Sequence, residues 1–318
     1  MVREMRELLT FCILTYRNFD GIFETLDSLF KQDYPQIELI ISDDGSPNYG
    51  EHIDGIKEYV EKHKSSNIVD VRYNQVLPNQ GTVHHVNEVI KMARGTYIKE
   101  LGADDVMIGT DALSKYVTFL EESDYEICFA KMRGVCENGS YVYHLEACES
   151  DYDMLRSLSV EETMNKLFAR NFLPAPAWCA KKSLFEKYGY YPEIIKLIED
   201  YPYWIHLCRQ GVKFGYLDEW LIDYRLNGIS SGGFYSERFM DDMVRIYDNF
   251  IFPYDKRFGI FQPIYNQLKR MGLNTYYAKA RWDDYTTGQK IGAYLKYGIF
   301  FVYIWLGNYK YVLKNKKK

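Results

Sequence analysis

The chain has 318 residues, 39 Lys+Arg against 44 Asp+Glu for a net charge of -5, and 47% hydrophobic and 17% aromatic residues. Such a composition supports one large or two modest cores and excludes a disordered, collagen-like or coiled-coil chain. Mild acidity also argues against a nucleic-acid partner. The charge is unevenly placed, because residues 285–318 hold seven lysines and no acidic residue, leaving -12 on residues 1–284. Six scattered cysteines form no CxxC pair or zinc spacing, and Met1 to Leu8 is too charged for a secretory leader, so reduced thiols and a cytoplasmic location are expected. The longest apolar run, Tyr297 to Leu306, is about half of what crosses a bilayer.

In chain order, short apolar runs alternate with segments of helical period, the pattern of an α/β sheet domain. Leu8 to Leu14 reads as a buried strand, and Ile22, Leu26, Leu29 and Phe30 mark a helix. Ile37 to Ser42 is a second strand running into Asp43-Asp44-Gly45-Ser46, and Val69 to Tyr73 a third. Val83, Val86, Val89, Ile90 and Ala93 line a helix before Thr96 to Leu101, a fourth strand that ends in Gly102-Ala103-Asp104-Asp105. Glu126 to Ala130 continues the sheet and residues 131–175 are less regular. A helix is expected from Asp200, a suitable N-cap with Pro202 in the first turn, to Gly211. Lys213 to Leu217 and a further stretch to Arg225 read as strand, and beyond Gly233 the pattern is helical and Tyr-rich.

Two strands thus end in adjacent carboxylates. Ligands of open α/β sheets bind at the carboxyl ends of the strands, which places both pairs on one rim. Asp43, Asp44, Asp104 and Asp105 together suit a hard divalent ion, Mg²⁺ or Mn²⁺, whose shell is completed by water and substrate phosphates. For either pair alone, ordinary turn chemistry is the alternative.

Several short motifs in one order resemble family 2 glycosyltransferases of the GT-A fold over roughly residues 8–230. Ile13-Leu14-Thr15-Tyr16-Arg17-Asn18 is similar to that family's opening strand and loop, with Leu14 in place of its usual proline and Arg17 in place of its usual asparagine. Leu29 to Ser46, Asn79-Gln80-Gly81, Asn87 and Arg94 to Ile98 continue the match. Asp104-Asp105 stands at the metal-binding DXD motif, Glu199-Asp200 at the ED motif and Tyr224-Arg225 at a following Tyr-Arg pair. The resemblance implies a mostly parallel, mixed sheet flanked by helices. It divides the chain into a catalytic domain, 1–230, with nucleotide-sugar binding in 1–106 and an acceptor part in 107–230, followed by a helical region, 231–318.

The same resemblance implies roles. Asp44 would accept from the uracil or thymine ring, Thr15 and Tyr16 would line the nucleoside pocket, and Asp43 would support the turn. Asp104 would contact ribose or metal waters, Asp105 would hold the ion, and Asp200, beside Glu199, would be the base that deprotonates an acceptor hydroxyl in an inverting displacement. A positioned base is worth roughly 10² to 10⁴ in rate. Arg225 and Arg17 are candidate phosphate partners, a surface ion pair being the alternative for Arg225 and a plain N-cap for Asp200. His85 lies near a frequently basic family position, with a structural helix start as its alternative. His144 and His206 read as structural, and Ser230-Ser231-Gly232-Gly233 as a flexible turn.

The expected reaction moves a sugar from a UDP-sugar, or dTDP-sugar, to a saccharide or lipid-linked saccharide acceptor in surface polysaccharide or glycoconjugate synthesis. Rival readings are a sugar-phosphate nucleotidyltransferase, whose Gly-rich basic loop is missing from Leu14 to Gly21, and a non-catalytic nucleotide- or glycan-binding protein. The aromatic, basic segment 285–318 suits an anionic membrane surface, implying a peripheral place on the inner face of the cell membrane. A core-packed terminal helix is its alternative.

Overall fold

A computed structural model describes residues 6–136, 138–143, 151, 155–226 and 236–298. His144, Cys148, the Ser230 to Gly233 turn and the lysines from Lys310 onward lie outside the described residues. The chain divides into two compact units, Met1–Gly228 and Ile229–Lys318.

The first unit is built on β1 (Leu9–Thr15), β2 (Ile37–Asp43), β3 (Ile68–Gln75), β4 (Tyr97–Gly102), β5 (Val106–Met107), β6 (Ile127–Val135), β7 (Tyr141–Tyr143), β8 (Trp178–Lys181) and β9 (Gly215–Arg225). They form one sheet in the order β3-β2-β1-β4-β8-β6-β9-β5, with β7 on β6. Strands β1 to β4 pair only in parallel with one another, and helices α1 (Ile22–Phe30), α2 (Tyr49–His63) and α3 (Thr82–Met92) make the crossovers that parallel pairing requires. Being covered on both faces, β1 and β2 read as almost continuous apolar runs. The sequence reading passed over α2, although Ile53, Ile56 and Val60 recur at helical spacing and are buried.

Beyond β4 the pairing changes character. Strand β8 joins β4 and β6 antiparallel, while β9 runs parallel to β6 and antiparallel to β5. The two stretches expected between Lys213 and Arg225 form one strand, with register shifts on either side of Lys131 where β9 bulges. Helices α4 (Ala112–Glu121), α5 (Val160–Ala169), α6 (Lys182–Tyr188) and α7 (Asp200–Arg209) complete this half. Helix α5 supplies order inside the region read as less regular. Its start is specified by a capping box in which Ser159 accepts from the Glu162 N–H and the Glu162 carboxylate accepts from the Ser159 N–H at 2.8 Å. Between α7 and the sheet lies an aromatic core in which the Tyr191 ring stands 4.4 Å from Tyr203 and Trp204 stands 5.0 Å, edge-on, from Phe129.

In the second unit, α8 (Glu237–Ile246) is capped by Ser236 and packs against α9 (Gln262–Ala280). A π-helical turn, Tyr247–Ile251, follows α8, and residues 287–298 are helical. No described helix is long and apolar enough to cross a membrane. The described cysteines are free thiols, four buried and Cys136 half-buried.

Candidate active site

Register places the two acidic pairs. Strand β1 lies between β2 and β4, with Thr15 opposite Asp43 and Leu14 opposite Gly102, so both pairs emerge at the same carboxyl-end rim. The Asp43 carboxylate is engaged by protein donors alone: the Thr15 hydroxyl at 2.9 Å, the Ser46 N–H at 2.7 Å, the Ser46 hydroxyl at 2.5 Å and the Gln75 amide at 3.1 Å. Thr15 therefore spends its hydroxyl on Asp43, and the ring of Tyr16 is the exposed member of the pair.

Asp44 receives the Asn79 amide at 2.7 Å and the backbone N–H groups of Gln80 and Gly81 at 3.1 and 3.0 Å. Gly81 presents that N–H from a backbone at φ +93°, a conformation glycine adopts freely. Burial nevertheless pushes the Asp44 carboxyl up, against the pull of those N–H groups. A carboxylate has about four acceptor positions, so one remains on Asp44 for a ligand donor.

The second pair is less well compensated. Asp104 accepts from the Asn18 amide at 2.9 Å, and Asp105 accepts from the Arg225 N–H at 3.2 Å. Among the described residues no side chain donates a hydrogen bond to Asp105. Its carboxyl is buried and pushed well above the usual carboxylate range, by burial first and by the Asp104 charge second. The two carboxylates converge: a Cβ built on Gly102 would stand 3.4 Å from both Asp104 Oδ1 and Asp105 Oδ2. Gly21 makes this rim possible, since a Cβ there would lie 2.6 Å from Asp104 Cβ. Among the described residues there is no cluster of three metal-ligating side chains, and those at this rim offer two carboxylates. That donor set fits Mg²⁺ or Mn²⁺ completed by phosphate oxygens and water.

Asp200 is the first residue of α7, and Glu199 occupies the cap position, one residue before the expected cap. The Asp200 carboxylate is buried, accepts from the Asn171 amide at 2.8 Å and the Tyr201 N–H at 2.6 Å, and is pushed up to about 6 by burial. A carboxyl raised to about 6 is ionised at neutral pH yet able to take up a proton. Arg225 splits its functions: its backbone N–H holds Asp105 while its guanidinium pairs with Glu24. His85 is buried against the Ser42 hydroxyl at 2.7 Å and pushed down to about 4 by burial, so it is neutral and supplies no cation. His206 meets the Tyr188 carbonyl at 2.8 Å, a structural contact.

The sequence reading missed three contributors. Asn18 and Asn171 hold Asp104 and Asp200, and asparagines at loop positions carry no sequence signal of the carboxylate they face. Glu100 sits on β4 opposite Cys12 of β1, buried, and is pushed up to about 7 by burial, with the Asp200 charge adding to the rise and Lys99 opposing it. A Lys-Glu pair inside an apolar strand was the available signal. Lys99 is fully buried and donates to the Glu100 and Pro176 carbonyls at 2.7 and 2.6 Å.

A mixed sheet whose parallel strands end in acidic pairs on one rim is the architecture of a GT-A glycosyltransferase. A family model for glycosyl transferase family 2 matches residues 10–189, and the chain belongs to that family. It is 26% identical over 229 residues to an uncharacterised glycosyltransferase of Methanocaldococcus jannaschii, covering 71% of this chain and 73% of that one. It is 28% identical over 210 residues to a poly(ribitol-phosphate) beta-glucosyltransferase of Bacillus spizizenii, covering 63% of this chain but 32% of the relative. Among solved structures, Staphylococcus aureus TarS 1–349 in complex with UDP-GlcNAc superposes with a TM-score of 0.59 at 18% identity, over 92% of this chain and 80% of that one. A mannosyltransferase from Pyrobaculum calidifontis, in complex with GDP-Man and Mn²⁺, gives a TM-score of 0.59 at 17% identity, over 96% and 85%. These likenesses establish the fold, and the family membership makes the protein a transferase.

Proposed function

We propose that the protein transfers a sugar from a nucleoside diphosphate donor to a hydroxyl of a saccharide or lipid-linked saccharide acceptor, inverting the anomeric carbon, in surface polysaccharide or glycoconjugate synthesis. The observation that carries this reading is the buried Asp105 carboxyl beside Asp104, met by backbone N–H groups but by no side-chain donor among the described residues, a site that asks for a cation and the phosphates it brings. The favoured donor is a UDP-sugar, with a dTDP-sugar second, because the free acceptor position of Asp44 matches the ring N–H of a pyrimidine. The UDP-GlcNAc bound by TarS is in keeping with this choice.

Asp105, with Asp104 beside it, would hold Mn²⁺ or Mg²⁺, which would stabilise charge growing on the departing diphosphate. Asp44 and the exposed face of Tyr16 orient the nucleoside, while Thr15 fixes Asp43 and so the turn that presents Asp44. Asp200 removes the proton of the acceptor hydroxyl as that oxygen bonds to the anomeric carbon. The bond between that carbon and the diphosphate oxygen breaks, the nucleoside diphosphate leaves with its electron pair, and Asp200 keeps the proton. Glu199, at the cap position, helps aim the first turn of α7. Arg225 serves the phosphates after leaving Glu24. The tail 285–318, with seven lysines and no acid, contacts an anionic membrane surface, which gives a peripheral place on the inner face.

The test is nucleotide release from UDP-, dTDP- and GDP-sugars with Mn²⁺ or Mg²⁺, in wild type and Asp200→Asn. The variant is expected to lose roughly 10² to 10⁴ in kcat while keeping its donor affinity. Wild-type kcat should fall as pH drops through about 6, where Asp200 takes up a proton. Normal turnover by Asp200→Asn would remove Asp200 as the base.

A further inference from the structure

The second unit carries an apolar face that none of this chemistry uses. Ile260 is 87% exposed, Phe261 62%, Ile264 58% and Leu268 51%, with Phe258 beside them at 45%. Ile260, Ile264 and Leu268 recur every four residues, and Phe261 falls three before Ile264, so these side chains share one side of α9 and the turn that leads into it. Of the residues α9 buries, Gln262 lies on the other side, while Thr275 and Ala278 continue the line of Ile264 and Leu268 in later turns, so the uncovered stretch of this face is confined to the N-terminal half. Contiguous large apolar side chains exposed to this degree mark an interaction surface rather than ordinary solvent-facing helix.

Charge selects the partner. From Lys256 to Arg281 the chain has six basic residues, Lys256, Arg257, Lys269, Arg270, Lys279 and Arg281, and no acidic one. Lys256 and Arg257 precede the apolar stripe and Lys269 and Arg270 follow it. Arg257 is joined to Asp255 at 2.8 Å and Arg270 to Asp248, which fixes the frame at each end, while Lys269 lies over the Tyr265 ring at 5.7 Å. An apolar stripe with basic ends is the pattern of a helix lying in the headgroup region of an anionic bilayer. A second copy of the chain fits less well, because a two-fold contact would set the same basic ends close to one another.

We propose that the N-terminal half of α9 is a membrane-docking element, with Ile260, Phe261, Ile264 and Leu268 entering the boundary between headgroups and acyl chains and Lys256 and Lys269 meeting lipid phosphates. It shares with the tail reading above only the class of surface, and it requires no residue beyond 298.

The experiment is flotation of the full chain with vesicles of phosphatidylcholine alone or mixed with phosphatidylglycerol. Wild type is expected on the mixed vesicles and not on phosphatidylcholine alone. Phe261→Ser with Ile264→Ser should weaken binding about tenfold or more, and Lys256→Glu with Lys269→Glu should weaken it comparably. UDP affinity should stay unchanged in both, and the unfolding midpoint should stay within about two degrees, since Lys256, Phe261 and Ile264 are exposed and Lys269 is half-buried with no ion pair among the described residues to lose. A third variant lacking residues 299–318 separates the two membrane readings. If it alone loses binding while both α9 variants float normally, the tail reading stands and the α9 proposal is overturned. A wild type that ignores both vesicles overturns the proposal too, as does a wild-type dimer that the apolar double variant turns into a monomer without any lipid effect.

Discussion

Strands β2 and β4 flank β1 on opposite sides, and each, with the turn that follows it, carries three carboxylates, but they satisfy them to different degrees. On β2, burial pushes Glu38 up, yet the Thr10 hydroxyl at 2.6 Å and the Arg94 N–H and guanidinium, at 2.8 and 2.7 Å, outweigh it and hold the carboxyl below its usual range. Asp43 and Asp44 at the end of that strand are surrounded by donors as well, although burial still raises Asp44. On β4, Glu100, Asp104 and Asp105 are all pushed up, burial leading in each case. The contrast separates a strand whose acids are mostly met by the protein's own donors from one whose acids are met by few. Acid at a strand end is thus two kinds of feature, told apart by counting donors.

Substitution should split the two strands. Asp105→Asn is expected to lower nucleotide release about a thousandfold, the scale of several kcal/mol of lost leaving-group stabilisation. Its unfolding free energy should stay level or rise, because a buried carboxyl whose burial cost exceeds its hydrogen bonding disappears. Asp43→Ala should do the reverse in stability, costing about 3 kcal/mol as four donors lose a charged partner. Release assays and denaturant unfolding on the two variants check both halves. An Asp105→Asn protein destabilised as much as Asp43→Ala would erase the distinction.

The positions of these acids were legible in the sequence, but their condition was not. Apolar runs ending in Asp43-Asp44 and Asp104-Asp105 announced both rim pairs, since parallel strands with βα connections put their carboxyl ends on one edge. The donors that neutralise the first pair come from Thr15, Ser46, Gln75 and Asn79, spread over 65 residues and joined only by the fold. The antiparallel half was read less well. Strands β6, β8 and β9 pair across long separations, so their partners leave no local pattern, and β8 shows only a four-residue stretch, Trp178–Lys181. Helix α2 was missed for a different reason, its apolar positions being diluted by charge along an otherwise polar segment, Tyr49–His63.

Glu100 extends the contrast into the strand interior. Its folded pKa, about 7, lies above the value near 4.3 expected of the unfolded chain. Between those values the folded protein holds a proton that the unfolded chain releases, so stability falls as pH rises through this window. In Glu100→Gln the slope of unfolding free energy against pH, measured by denaturant titration at pH 5, 6 and 7, should become shallower by up to about 1.4 kcal/mol per unit. Asp200 and Asp105 leave a residual slope of the same sign. Equal slopes in wild type and variant would place the Glu100 proton elsewhere.

The smallest expected effect probes how firmly the β2 network holds the loop after β1. Arg17 adopts φ +58°, a left-handed conformation that costs a residue with a Cβ about 1 kcal/mol and that asparagine accepts more readily. It is kept there by its N–H to the Ser46 hydroxyl at 2.6 Å, and that hydroxyl in turn donates to Asp43. Arg17→Asn should therefore stabilise the protein by about 0.5 kcal/mol, the relief being partly offset by loss of the guanidinium that lies 5.1 Å from the Tyr16 ring centroid. In an Asp43→Ala background the Ser46 anchor is loosened, the loop is free to leave φ +58°, and the gain should vanish. Full additivity in that double-mutant cycle would mean that Arg17 is held by something other than the Asp43 network.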